Sequence, residues 1–529
     1  MQVFNFNRSD LNLFSAQHIN LVYNQAFYKA YIHREFSISN FVSQENEKEL
    51  NYLESKRKVL VSTLEKQYST LNDKVKSAEN IERLKLNNTF TVTTGHQLSL
   101  FTGPLYFILK IIHVIKLAER LNSENSDRYI VPVFWMATED HDFQEIQSVN
   151  LYGKEIKWDS SQKGPVGKFD LNEFEDVKSQ VVAFFGNHVD AEIHQLMEAY
   201  DGDNLAEATF KFVHELFKDY GLVIVDGDQC DLKRLFIPTI EKELKEQFSY
   251  KAVSTTNQTL ENDGGKIQVL AREINLFYIE KGVRQRIEKT DVGFEIEGVG
   301  SYSESELLEK VQLNPECFSP NVVLRPLYQE TILPNLAYVG GGGEISYWLQ
   351  LKRVFDAVNV VYPMICIRNS MMWVEKSVAK KINKIELSLE DLFKGVDVLK
   401  REFIENHSGK ALNFKEIDEV TTRLSKQIED SILLTEPNMQ GYATAEKVKL
   451  NKQIEGVKSK LIKLSKANHE QSMKFIEQIR ERLFPDGGLQ ERSSNILSFC
   501  PDGNVSKRIK MLYEVVDPEQ KDFLVVREN

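Results

Sequence analysis

Thr89-Phe-Thr-Val-Thr-Thr-Gly-His-Gln97 is the stretch that decides how this chain folds. Its first six residues are rich in β-branched side chains and read as a strand ending at Thr94. A bend from Leu98 to Pro104 follows, and Leu105 to Leu121 then carries apolar residues at three- and four-residue steps, the signature of a helix. A glycine and a histidine at such a strand–turn–helix junction are how an α/β anion site is often built. The glycine lets backbone approach phosphate, the helix start attracts the anion, and imidazole can stabilise charge.

Three further clusters of the same kind follow. Tyr129 to Ala137 is an almost continuous apolar run, read as a strand buried on both faces, and it ends in Thr138-Glu139-Asp140-His141-Asp142. Gly221 to Val225 ends in Asp226-Gly227-Asp228. Val322-Val-Leu324 leads through Arg325 and Pro326 towards Gly340-Gly-Gly-Gly343-Glu344 and a helix expected from Ile345 to Ala357. Open parallel sheets bind ligands beyond the carboxyl ends of their strands, so several polar strand ends predict one shared cleft.

Composition narrows the class. A chain of 529 residues exceeds what one hydrophobic core supports, so a large core with appended modules is expected. A net charge of −12 argues against a general binder of nucleic acid or anionic membrane. No apolar run approaches the roughly 20 residues of a membrane span, and the start of the chain lacks signal-peptide features. A cytoplasmic location is expected. Cys230, Cys317, Cys366 and Cys500 show no metal-ligand spacing, so no cysteine-ligated zinc site is evident.

The predicted fold class is α/β: a Rossmann-like parallel-sheet core with inserted connecting segments and a C-terminal antiparallel helical coiled coil. Residues 1–88 read as a helical segment packed on the core. The core spans 89–369, with insertions near 161–220 and 251–320; the second shows β-rich patches at Glu273 to Glu280 and Val283 to Ile287. Within 370–485, apolar residues from Met371 to Phe403 recur at helical steps, and Leu450, Ile454, Val457, Leu461 and Leu464 form a heptad seam. An antiparallel hairpin is expected, with a shorter helix near Ile417 to Leu434 between its arms. The apolar tail, 486–529, is expected to return to the core.

Each candidate residue carries an alternative. His96 is either a helix-capping histidine or a phosphate-facing group, and Thr94, Gly95 and Gln97 around it favour the second. Glu139, Asp140, His141 and Asp142 are too many charges for one turn to bury unpaired; they cap backbone or meet ribose hydroxyls, an amine, magnesium or a proton in transfer. Asp226 and Asp228 either end a strand or face a ligand. Arg325 either pairs with a structural carboxylate or clamps a substrate carboxylate. The Gly340–Gly343 run has no Lys-Ser/Thr pair after it, so it is not a Walker loop; it is either a plain turn or an anion-binding one.

The contiguous stretches TGHQ with LFTGPLY (Leu100 to Tyr106), PVFWMATEDHD (Pro132 to Asp142) and LRPLYQETILPNLAYVGGGGEISYW (Leu324 to Trp348) resemble the bacillithiol-synthesis cysteine ligases known as BshC. The resemblance spans about Thr89 to Asn369, and the coiled-coil region after it also fits. It implies an enzyme that joins the carboxyl of L-cysteine to the amine of glucosaminyl-malate as an amide. It also implies activation by ATP, with magnesium, and homodimerisation through the coiled coil. By analogy with class I aminoacyl-tRNA synthetases, Thr94, Gly95, His96 and Gln97 would meet phosphate, with Gly340, Gly341, Gly342 and Gly343 helping to hold nucleotide. Arg325 would face a malate carboxylate, Asp140 or His141 would orient the attacking amine, and Glu139, Asp142 and Asp226 would complete the substrate side. The chain departs from the synthetase pattern: TGHQ has one histidine rather than two, and no Lys-Met-Ser-Lys-Ser loop follows the core. The competing class is a non-catalytic dimeric scaffold or metabolite-binding protein.

Overall fold

In the computed structural model, residues 1–125, 127–186, 191–407 and 414–529 are described. The chain divides into two compact units: residues 3–372 with 489–526, and residues 373–488 with the two chain ends.

Five strands form the central sheet of the larger unit, in spatial order Met364–Ile367, Asn335–Gly340, Thr89–His96, Tyr129–Met136 and Val223–Asp226. Every neighbouring pair is parallel. Numbered along the chain, the order is 3-2-1-4-5, a doubly wound sheet whose direction of progression reverses between Thr89–His96 and Asn335–Gly340. The helix Tyr106–Glu124 makes the first crossover, and its run from Phe107 to Ile115 is buried throughout, as expected for a helix between sheet and outer layer. Thr91 and Thr93 donate to the Asn335 Oδ1 at 3.1 and 2.8 Å, tying the first strand to its neighbour across the reversal.

The expected strand from Val322 is not one. Val322–Leu324 form a turn, and Arg325–Ile332 is a helix. Asn321 Oδ1 accepts from the amides of Val323 and Leu324, and Pro326 fits the first helical turn, where a missing N–H costs nothing. Those local signals outweigh the apolar triplet. The strand lies further on, at Asn335–Gly340. The expected 345–357 helix is two short ones, Gly342–Trp348 and Lys352–Asp356, and the last core strand is Met364–Ile367. The second insertion is a small antiparallel sheet in which Leu276–Glu280 pairs with both Val283–Thr290 and Phe318–Pro320.

Between the first strand and its helix the backbone takes three successive left-handed residues, Phe101, Thr102 and Gly103, with φ of 48°, 71° and 57°. Non-glycine residues there cost energy unless their surroundings fix them. Asn495, from the returning tail, donates its amide hydrogens to the Phe101 and Gly103 carbonyls at 2.8 and 2.6 Å.

The expected long first arm is not one helix. Met371 lies in the strand Ser370–Val374, and the rest of that stretch forms separate helices Lys376–Lys384 and Val396–His407. Apolar spacing carried across Gly395 and the left-handed Glu386 had joined elements that the backbone separates. The hairpin is built from Phe414–Thr435 and Gln440–Asn468, so the helix expected between the arms is itself an arm. Its antiparallel register is marked by Lys447 on Glu429 at 3.1 Å, Ser425 on Asn451 at 3.3 Å and Lys458 on Asp418. Among the described residues no helix is long and apolar enough to cross a membrane.

Candidate functional site

Parallel register brings the strand ends level: His96 lies beside Met136, and Met136 beside Asp226. A cavity of about 450 Å³ opens above them at the reversal point, closed on its far side by the inserted antiparallel sheet. His96, Gln97, Glu139, Asp140, His141 and Arg325 all reach its surface, as does Gly95. Gln97 Nε2 donates to Asp140 Oδ2 at 2.8 Å, linking two of the clusters directly.

Other candidates lie off that surface. Thr94 is buried and donates its hydroxyl to the Val339 carbonyl at 2.7 Å, a sheet contact. Asp226 sits beneath the floor, accepting from Thr138 Oγ1, the Asp228 amide and Gln229. Burial and then Asp228 raise its carboxyl above the usual range. Asp142 caps the short helix Phe143–Ile146 through the Glu145 amide at 3.4 Å and lines an adjoining opening instead. The glycine run also stays off the cavity surface. The Gly341 amide is taken by Glu344 Oε2 at 2.8 Å, and Gly342 packs against the His18 ring so closely that a Cβ would lie 2.2 Å from Nδ1.

The ionic framework was largely unread in the sequence. Lys110, 1% exposed within the apolar crossover helix, donates to the Gly95 carbonyl at 2.6 Å and to both Glu344 oxygens at 2.9 and 2.7 Å. Glu344 also accepts from Tyr338 Oη at 3.1 Å and the Gly341 amide, so both oxygens are saturated. Burial opposes ionisation of Glu344, but Lys110 and the Gly341 amide hold it below the usual carboxylate range. Lys233, fully buried, pairs with Glu139 and donates to the Phe318 carbonyl at 2.7 Å. The detectable signal was a lone lysine inside an apolar helix face, since such a charge persists only with a partner.

His96 has a defined tautomer. Its Nδ1 lies 3.0 Å from the Gln97 carbonyl, which only accepts, so Nδ1 carries the proton. Nε2 then accepts from Tyr106 Oη at 3.2 Å. Burial, reinforced by Lys110, lowers the pKa to about 4, so the ring is neutral at physiological pH. His96 Nδ1–H and the Gly341 amide, two of the donors expected to meet nucleotide phosphate, are engaged within the protein.

Arg325 is the clearest ligand-facing group. Its guanidinium lies against Gly95, where a Cβ would stand 3.6 Å from Nη1, and 5.9 Å from the Tyr338 ring centre. Its protein contacts are Gln329 Oε1 at 3.2 Å and the Tyr347 hydroxyl, both neutral. Among the described residues no carboxylate stands within ion-pair distance of it, nor of Arg284 on the opposite wall. Glu344 acts on Arg325, and Glu139 and Asp140 on Arg284, only through space, so both cations keep neutral hydrogen-bond partners while lining the cavity, an arrangement that can receive an anion. Among the described residues no group of three His, Cys, Asp or Glu side chains is placed to hold a metal.

Comparison with known proteins agrees with this architecture. The family described as "Bacillithiol biosynthesis BshC, N-terminal Rossmann-like domain" matches residues 14–369, and "Bacillithiol biosynthesis BshC, C-terminal coiled-coil domain" matches 371–528. A protein of Flavobacterium johnsoniae named "Putative cysteine ligase BshC" is 40% identical over 497 residues, 93% of each chain. One of the same name from Cytophaga hutchinsonii is 40% identical over 464 residues, 87% of each. Another, from Bacillus cereus, is 27% identical over 439 residues, covering 79% of this chain and 81% of that one. With both domains matched in order and relatives aligned over nearly their whole length, the chain belongs to the BshC family of bacillithiol biosynthesis.

Proposed function

We propose that this chain is a ligase that condenses the carboxyl of L-cysteine with the amine of glucosaminyl-malate. The observation that carries the proposal is Arg325: a guanidinium set into the cavity floor at the sheet's reversal point, with neutral protein partners only. A malate carboxylate is the ligand that guanidinium fits, by two parallel charge-assisted hydrogen bonds. Asp140 lines the same cavity, oriented by Gln97 and by the His141 amide at 2.8 Å. In this reading its carboxylate holds the attacking ammonium and takes the proton that nitrogen must lose before the C–N bond forms.

A free carboxylate is a poor acyl donor, and ATP with magnesium is the activator we assign; when bound it supplies a better leaving group on the cysteine carboxyl. The arginines lining the cavity suit its phosphates better than the glycine run does, because the Gly341 amide is already taken. We further assign homodimerisation to the coiled-coil unit, on the exposed Val420, Leu424, Val457 and Leu464 of its hairpin. Hydrophobic side chains at helical spacing on both arms favour a second copy as the cover.

Calorimetric titration of glucosaminyl-malate tests the assignment. Arg325→Met removes a charge-assisted pair worth about 2 kcal/mol, so affinity is expected to fall about 30-fold. Equal affinity in wild type and variant would remove Arg325 from the site.

A further inference from the structure

Arg284 enters the cavity from the inserted antiparallel sheet, on the strand Val283–Thr290 opposite Ile279. Its guanidinium is held at its edges and on one face. Nε donates to Ser319 Oγ at 3.1 Å and Nη2 to the Pro320 carbonyl at 3.1 Å, while Cζ lies 3.9 Å over the Phe277 ring. The remaining nitrogen, Nη1, lies 2.9 Å from His141 Nδ1. A guanidinium has donors and no acceptor, so this contact exists only if Nδ1 presents a lone pair. The neutral ring must then carry its proton on Nε2. Protonating Nδ1 would set one N–H against another across 2.9 Å.

We propose that Arg284 is a positioning residue that holds His141 as its Nε2–H tautomer, so that His141 meets substrate as a hydrogen-bond donor and not as a base. This rests on the reading that the cavity is the ligation site. There, an Nε2–H aimed at the acyl oxygen stabilises the negative charge that develops as the amine adds. Proton removal falls to Asp140.

The charges around the ring are mixed. Asp140 and Asp142 lie on its own segment, with Asp140 Oδ1 3.7 Å from Nδ1. Arg284 and Arg286 face it from the inserted sheet, Phe277 packs beside it at 5.6 Å, and Glu145 and Lys163 line the adjoining opening. Burial first, and then Arg284, lowers the His141 pKa from its ordinary value despite the two aspartates. Without Arg284, only burial and Arg286 would oppose the two aspartates, and the ring would take up a proton more readily.

Residue-specific acylation of histidines by diethylpyrocarbonate, read by peptide mass spectrometry across pH 5 to 8 on the full chain, measures this directly. Wild-type His141 is expected to titrate below about 6.5, the ordinary imidazole value. In Arg284→Met its midpoint should rise by about one unit, a change that a nearby charge and its hydrogen bond ordinarily produce. Arg284→Lys, which keeps charge but loses the planar fork, should fall between them. Long-range proton–nitrogen spectra of histidine-labelled wild-type protein should show Nδ1 unprotonated. A wild-type midpoint at or above 6.5, a protonated Nδ1, or identical midpoints in wild type and a folded Arg284→Met overturns the proposal. Should that variant not fold, the wild-type titration and spectrum decide alone. If no amide forms under any condition while His141 titrates as expected, the ligation reading fails and the arginine–histidine geometry stands.

Discussion

Replacing Lys233 with methionine probes how the cavity is held open. Lys233 is fully buried, and its ammonium serves the Glu139 carboxylate and the Phe318 carbonyl, 5.5 Å from the Tyr328 ring centre. Methionine keeps most of the volume and removes the charge. The Glu139 carboxylate, 13% exposed, is then left without its cation while Asp228 still repels it. Breaking one side of such a buried pair costs about 3–5 kcal/mol. The cost must depend on pH. Burial already raises the Glu139 pKa, and loss of Lys233, which opposes that shift, raises it further. A folded-state pKa above the unfolded value of about 4.3 gives stability that is full at acid pH and lost as pH rises through the folded value. The variant's deficit should therefore grow with pH by up to about 1.4 kcal/mol per unit between the raised Glu139 pKa of the wild type and the higher one of the variant. Urea unfolding followed by tryptophan fluorescence at pH 5 and pH 8 reads both quantities. A deficit below about 1 kcal/mol, or one equal at the two pH values, would refute the claim that this pair is a buried structural strut.

Gly342→Ala should destabilise the fold by several-fold more than Gly95→Ala in the same unfolding assay. A Cβ at 342 meets the His18 ring at 2.2 Å, whereas at 95 its nearest neighbours stand at 3.4 to 3.6 Å. Asn495→Ala removes two hydrogen bonds from the left-handed 101–103 bend, so a loss of about 2 kcal/mol and earlier proteolytic cleavage there are expected. His18 and His113 have pKa values lowered to about 3 by burial first, with neighbouring arginines adding to it, so neither should titrate by NMR in folded protein between pH 5 and 8. The sign follows: stability from keeping these rings neutral is present above about pH 6.5 and falls by about 1.4 kcal/mol per unit for each ring as pH drops towards 3.

The sheet was legible because β-branched and apolar runs near Thr89, Tyr129 and Gly221 coincide with polar strand ends, a pattern parallel sheets require. The first two of those ends, at Gly95–Gln97 and Ala137–His141, line one cavity, whereas the third, at Asp226, lies beneath it. Val322–Leu324 misled because three apolar residues look alike in strand and turn; Asn321 and Pro326 were the informative neighbours. The second hairpin arm lies where the Leu450 to Leu464 seam places it, but the first does not, because helical spacing does not reveal where two elements abut, as they do around Gly395. Asp226 and the glycine run looked ligand-facing, but which side of a strand end meets the cavity depends on packing that periodicity does not encode. Arg284 carried no local signal, since it reaches the site only because an inserted sheet lines the cavity at the strand ends of a core distant in sequence.

The central claim, that the cavity joins cysteine to an anionic amine through Arg325, is tested most directly by mass spectrometry of the reaction mixture. Purified full-length protein would be incubated with L-cysteine, glucosaminyl-malate, ATP and magnesium, with Arg325→Met in parallel. The account predicts a product of the summed masses less one water, formed by wild type and reduced at least about 10-fold in the variant under subsaturating substrate. No such product from folded wild-type protein, or equal yields from both proteins, would contradict it.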